Sequence, residues 1–173
     1  RLVLPTEDLE ADMYDVLMNE MEAHGLKQYE ISNFAKPGFS SIHNKIYWDN
    51  DEYAGFGAGA HGYLEGVRYS NYGPIKKYME AVEAGSRPVV HEHEVTQTER
   101  KEEQMFLGLR KTDGISNEVF ERKFNETIFD TYRKVIEKLV KDGLLESDER
   151  GVRLTRKGRF VGNEVFQQFL LED

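Results

Sequence analysis

The order of secondary-structure signals predicts an α/β segment with a loop-rich extension, followed by a mainly α, winged-helix-like domain. Three observations carry this. Residues 5–31 read as a helix closed by glycine and followed by a short strand. Residues 32–70 are punctuated by Gly38, Gly55, Gly57, Gly59, Gly62 and Gly66. Residues 96–173 give three helices, a hairpin signal and a closing helix. The chain therefore divides into residues 1–95 and 96–173.

Thr6 is the expected N-cap of the first helix, and Glu7, Asp8 and Glu10 favour the positive end of its dipole. Leu9, Met13, Val16, Leu17 and Met21 recur at helical spacing, and Gly25 closes the helix. Gln28–Ile31 reads as a strand. One helix–strand unit cannot cover both faces of a strand, so it is expected to complete a sheet made elsewhere. Tyr69–Tyr72 reads as extended. Pro74 starts a helix at its first turn, with Ile75, Tyr78, Met79 and Val82 as its apolar positions and Gly85 as its end. Ser86–Val95, with Pro88 inside it, reads as a linker between the halves.

The second half is more regular. Thr96-x-x-Glu99 is a capping box, followed by Met105, Phe106 and Leu109, with an end near Gly114. Ser116 caps a short helix holding Val119, Phe120 and Phe124. A helix over 127–142 carries Phe129, Tyr132, Val135, Ile136, Leu139 and Val140 before Gly143. Leu144–Glu146 and Val152–Leu154 flank the turn signal Asp148-Glu-Arg-Gly151, and Thr155 caps a last helix with Phe160, Val161, Val165, Phe166 and Phe169.

Composition excludes several classes. With 39% hydrophobic and 12% aromatic residues the chain can pack a core. It contains no apolar run near 18 residues and no signal-peptide pattern, so a cytoplasmic protein without a transmembrane segment is expected. Zero cysteines excludes disulfides, thiolate catalysis and thiolate-bound clusters. The sequence starts at Arg1 rather than Met, and we read it as part of something longer. Of 23 basic and 32 acidic residues, 8 and 16 fall in 1–95 and 15 and 16 in 96–173. Neither half is the basic footprint that nucleic acid calls for. On the third helix of the second half, Arg133, Lys134, Lys138 and Lys141 alternate with Asp130, Glu137 and Asp142, the pattern of a solvated face.

The middle segment concentrates the chemistry. His43 and His61 are either axial ligands for a haem iron or loop hydrogen-bonders. Tyr47, Trp48 and Tyr53 lie between them, and their rings either stack on a planar ligand or plug the mouth of a cleft. Gly57-x-Gly59-x-x-Gly62 has dinucleotide-fingerprint spacing, but Gly66, Gly73 and Pro74 leave no long helix behind it, which rejects that reading. Its bare backbone still allows close approach of a ligand or a strand. His91 and His93 share one face of an extended segment. With no third ligand they read as solvated rather than metal-binding.

The motifs Tyr29-Glu-Ile-Ser-Asn-Phe-Ala35, His43-Asn-x-x-Tyr-Trp48 and Tyr53-x-Gly-x-Gly-Ala-Gly-Ala-His-Gly62, with the Asn71…Tyr78 stretch, resemble the oxygen-independent coproporphyrinogen III oxidase-like radical SAM proteins. The wording of His43–Trp48 resembles the haem-chaperone branch. The resemblance implies that residues 1–95 are the end of a radical SAM β/α barrel with its extension, and that 96–173 are the family's C-terminal domain. It also implies haem as ligand, with His43 on the iron and Asn44, Tyr47 and Trp48 beside it. Gly59, Ala60 and His61 would border the S-adenosylmethionine pocket. The family's cluster-binding cysteines are absent here, so S-adenosylmethionine and [4Fe–4S] belong to the full-length parent, and this part alone should be inactive. Implied partners are haem or a porphyrinogen, the N-terminal barrel of the same protein and haem-accepting proteins. Two alternatives stay open: a parent that oxidatively decarboxylates coproporphyrinogen propionates, and a winged-helix interaction or nucleic-acid module.

Overall fold

A computed structural model describes residues 4–171. The first half runs α1 (Glu7–Ala23), β1 (Lys27–Glu30), β2 (Asn33–Ala35), α2 (Ile42–Trp48), β3 (His61–Leu64), β4 (Val67–Asn71), α3 (Ile75–Glu83) and β5 (Val89–Glu94). The second runs α4 (Gln97–Gly108), β6 (Ile115–Ser116), α5 (Asn117–Phe124), α6 (Ile128–Lys141), β7 (Leu145–Asp148), β8 (Gly151–Leu154), α7 (Arg156–Phe160) and α8 (Gly162–Gln167). Among the described residues the strands form small antiparallel sheets, ordered β1-β2, β3-β4-β5 and β6-β8-β7.

The predicted caps do what their chemistry requires. Thr6, Ser116 and Thr155 each accept a hydrogen bond from the third helical amide after them. Thr96 with Glu99 forms the expected reciprocal box, and the structure adds a second, Thr127 with Asp130, at the start of a helix that the sequence begins at Thr127 itself. Each satisfies amides that an uncapped helix would leave bare.

Elsewhere the structure corrects the sequence. The expected linker over 86–95 contains β5, which pairs with β4 from Val67↔Glu94 to Asn71↔Val89. It is an edge strand whose residues from Val90 to Glu94 are exposed, so no apolar alternation marked it. The strand after α1 pairs with β2 in a two-stranded hairpin, and Glu30 adds a single bridge to Lys111. The stretch read as loop contains α2, capped by Ser41, whose Oγ accepts from the Asn44 amide at 3.2 Å. On α1 the apolar stripe points outward: Leu9, Met13, Val16 and Leu17 are exposed, and Met18 is the buried residue. Val140 and Phe160 are likewise exposed. The closing helix is two helices, broken at Val161 (φ −118°, ψ 33°). Gly162 follows the break because a Cβ there would lie 3.3 Å from both Ile31 Cδ1 and Phe166 Cζ.

The core sits in the second half, where α4–α6, the β6-β8-β7 sheet and α8 enclose Met105, Leu109, Phe120, Ile128, Ile136 and Phe169. Tyr132 lies in it, edge-on to Phe120 and Phe169, with its hydroxyl buried and unpartnered among the described residues. Burial pushes that phenol well above the ordinary tyrosine value. Removing an unpaired hydroxyl removes a desolvation cost and no hydrogen bond. Tyr132→Phe is therefore expected to leave the urea midpoint unchanged or to raise stability by about 1 kcal/mol. A loss of that size would show that the hydroxyl has a partner.

Candidate functional site

The α2 helix presents two faces with different neighbours. His43 and Tyr47, one turn apart, meet edge to face with ring centroids 4.7 Å apart at 87°. Tyr47 in turn meets Tyr53 at 4.5 Å and 74°. Tyr53 is tied to β3 by paired backbone hydrogen bonds with Tyr63, at 2.8 and 2.9 Å. The His43 ring is exposed, and no hydrogen bond engages it among the described residues. It is an open imidazole at the end of an aromatic row. Burial pushes the Tyr53 phenol above its ordinary value, with Arg68 opposing, so at neutral pH it remains a neutral ring with a polar tip.

Trp48 lies on another face of α2, turned toward the second half. The Arg110 guanidinium stacks 4.5 Å from its ring. Arg110 also faces Glu30 Oε2 at 3.9 Å. Glu30 is fully buried, and its Oε1 accepts from the Ser32 amide at 3.1 Å and from Asn33 Nδ2. Asn44 does not reach toward the His43 ring. Its Nδ2 donates to the Tyr29 hydroxyl at 3.2 Å, which anchors α2 to β1.

The far end of α2 is held by cations from the second half. Lys123 donates to the carbonyls of Asp49 and Asn50 and, at 2.7 Å, to Asp51 Oδ1, while Lys111 pairs with Asp49. Positive charge at a helix C-terminus is favourable in itself. Arg68 bridges the halves, donating from Nε to Glu103 Oε1 at 3.0 Å and from Nη2 to Glu103 Oε2 at 2.6 Å and Asn50 Oδ1 at 3.2 Å. A cleft of about 280 Å³ lies between these elements, lined by Tyr47, Trp48, Asn50, Tyr53, Arg68 and Leu107. It is below the usual size of a drug-sized pocket, so a macrocycle could only rest an edge in it.

The glycine loop is committed internally. The amides of Gly55, Gly57 and Gly59 donate to Tyr69 Oη, Tyr78 Oη and the Tyr72 carbonyl. The Ala60 carbonyl accepts from the Asn71 amide. His61 is exposed on β3 opposite Ser70, outside the His43–Tyr47–Tyr53 row. On β5, His91 also pairs with Ser70 in register, and His93 binds Glu99 at 3.0 Å. Of the sequence-predicted residues, then, the structure joins His43 with Tyr47, places Trp48 beside Arg110, and sets Gly59, Ala60 and His61 apart. Arg110, Lys111, Lys123 and Glu103 gave no sequence signal, because each acts on a segment 35 or more residues away.

Residues 95–161 match the HemN C-terminal domain. Over 172 residues the chain is 49% identical to the heme chaperone HemW of Bacillus subtilis (strain 168), covering 99% of this chain and 45% of that protein. It is 45% identical, with the same coverage, to heme chaperone HemW of Lactococcus lactis subsp. lactis (strain IL1403). It is 32% identical over 175 residues to the mouse mitochondrial protein named radical S-adenosyl methionine domain-containing protein 1, covering 92% of this chain and 39% of that one. The chain thus spans less than half the length of these relatives. The structure of Escherichia coli coproporphyrinogen III oxidase (HemN), a radical SAM enzyme, superposes with a TM-score of 0.72 over 96% of this chain and 42% of that one. At 17% identity this likeness speaks for the fold alone. By its motifs, its HemN C-terminal domain and these relatives, the chain is similar to part of the coproporphyrinogen III oxidase-like radical SAM proteins, and similar in sequence to relatives named heme chaperones.

Proposed function

We propose that this chain is the C-terminal part of a haem-handling protein and that the α2 face bearing His43 and Tyr47 receives haem as cargo for delivery to an acceptor. The observation that carries the reading is the exposed, unengaged His43 imidazole at the end of the Tyr47–Tyr53 row. A neutral imidazole supplies an axial nitrogen to haem iron, and the aromatic row offers apolar edges to a flat macrocycle. Residues 1–95 then present the cargo face, and 96–173, winged-helix-like in order, act as its packing module rather than as a DNA reader. The N-terminal barrel of a full-length parent would supply cluster and S-adenosylmethionine, with Gly59, Ala60 and His61 at that pocket's border. The outward apolar faces of α1 (Leu9, Met13, Val16) and α3 (Ile75, Met79, Val82) suit a covering barrel. No helix among the described residues is long and apolar enough to cross a membrane, which is compatible with a cytoplasmic setting.

The test is a hemin titration followed by absorbance and by quenching of Trp48, the only tryptophan. Wild type should give a stoichiometric Soret band and His43→Ala should weaken binding at least about 10-fold, the loss of an axial bond being worth well over 1.4 kcal/mol. A band indifferent to His43 would remove this site and shift weight to a porphyrinogen-decarboxylating parent.

A further inference from the structure

At seven residues, with no buried side chain, α2 is too short to hold its own conformation or position. Its placement must come from what grips it. At its C-terminal end the grip is Lys111 and Lys123 on Asp49–Asp51. Along its length α2 packs against α4, and just beyond α4 its Trp48 ring meets Arg110, a planar cation that also faces the buried Glu30 carboxylate. Three buried polar atoms meet here without hydrogen-bond partners among the described residues: Trp48 Nε1, Arg110 Nε and Glu30 Oε2. Buried polar atoms are paired in the great majority of cases, so a cluster of three is not what packing alone selects. β1, α2 and the end of α4 have been brought together at the expense of local satisfaction.

We propose that Arg110 is a positioning residue: the HemN C-terminal half seats Trp48 on the Arg110 guanidinium, and that seat sets the position in which His43 and Tyr47 meet the planar ligand. The idea rests on the haem reading of α2 and adds to it that the affinity of the site is set from the second half, by a residue that does not touch the ligand. The guanidinium matters for its plane as well as its charge, because an ammonium opposes Glu30 equally but cannot stack on an indole.

The variants are Arg110→Lys and Arg110→Gln in the chain as it stands, read by far-UV circular dichroism, by Trp48 emission without ligand and by hemin titration. Arg110→Lys keeps a cation facing Glu30 and should keep the wild-type circular dichroism spectrum. It should nevertheless shift Trp48 emission to the red and weaken hemin binding about 5-fold or more, the lower range of coupling between distinct sites. Arg110→Gln should do both more strongly. Wild-type emission in Arg110→Lys overturns the seat, whatever hemin does. Hemin binding that is lost in His43→Ala yet equal in wild type and Arg110→Lys overturns the coupling and leaves the haem reading standing. A wild type with no His43-dependent Soret band removes the haem reading, and the coupling with it.

Discussion

Gly62→Ala should destabilise the chain by about 3 kcal/mol, although it adds one methyl group. An ideal Cβ at Gly62 would stand 2.2 Å from Tyr69 Cζ and 2.4 Å from its hydroxyl oxygen. Gly62 and Tyr69 are direct partners across β3 and β4, so the ring lies flat over the bare backbone opposite it. An alanine must expel that ring, an overpacking cost of about 1–3 kcal/mol. With the ring goes the hydrogen bond that the Gly55 amide donates to Tyr69 Oη at 2.9 Å, worth about 1 kcal/mol more. Gly73→Ala is the control: nothing lies within 4 Å of the place its methyl group would take, and a change under about 0.5 kcal/mol is expected. Urea titrations followed by Trp48 emission compare the two. Equal midpoints for Gly62→Ala and wild type would mean that Tyr69 does not occupy this seat.

The same pair explains what could be read from the sequence and what could not. The glycine spacing was legible as bare backbone, but whether a ligand or the protein itself fills it was not. Here the occupant is Tyr69, a residue seven positions downstream in a strand that the sequence marked only in part. The second half was legible nearly element by element, because its caps and helical stripes are local: Thr96 with Glu99, Ser116 and Thr155 sit where they do for reasons contained within a few residues. The first half was less legible because much of it packs against little within this chain. The stripe on α1 has helical spacing yet faces outward, and β5 alternates histidine with glutamate and leaves Val90 to Glu94 exposed. His43 and Tyr47 could be paired by their four-residue spacing once a helix was known. The interface that holds them could not, since Arg110, Lys111 and Lys123 meet α2 and its flank only through the tertiary fold.

Glu30→Ala should be at least as damaging, at about 3 kcal/mol, and for a different reason. The Glu30 carboxylate is fully buried, and its Oε1 closes the β1–β2 turn by accepting from Ser32 N and Asn33 Nδ2. Truncation leaves those donors without that acceptor and leaves Arg110, about a quarter exposed, without its carboxylate. Breaking a buried charged pair from one side typically costs about 3–5 kcal/mol. The 3.9 Å separation from Arg110 and that residue's partial exposure place Glu30 at the lower end. The larger share of the loss is then the turn rather than the ion pair. Glu30→Gln separates the two: it keeps an acceptor of the same shape for the turn but gives up the charge facing Arg110, so clearly less than half the loss is expected. A Glu30→Gln as damaging as Glu30→Ala would assign the energy to the ion pair instead. A Glu30→Ala that costs less than about 1 kcal/mol would show that the turn finds another acceptor. In either variant the Trp48 emission should move before the far-UV signal does, because α2 rests on the Glu30–Arg110 contact while the core of the second half does not include it.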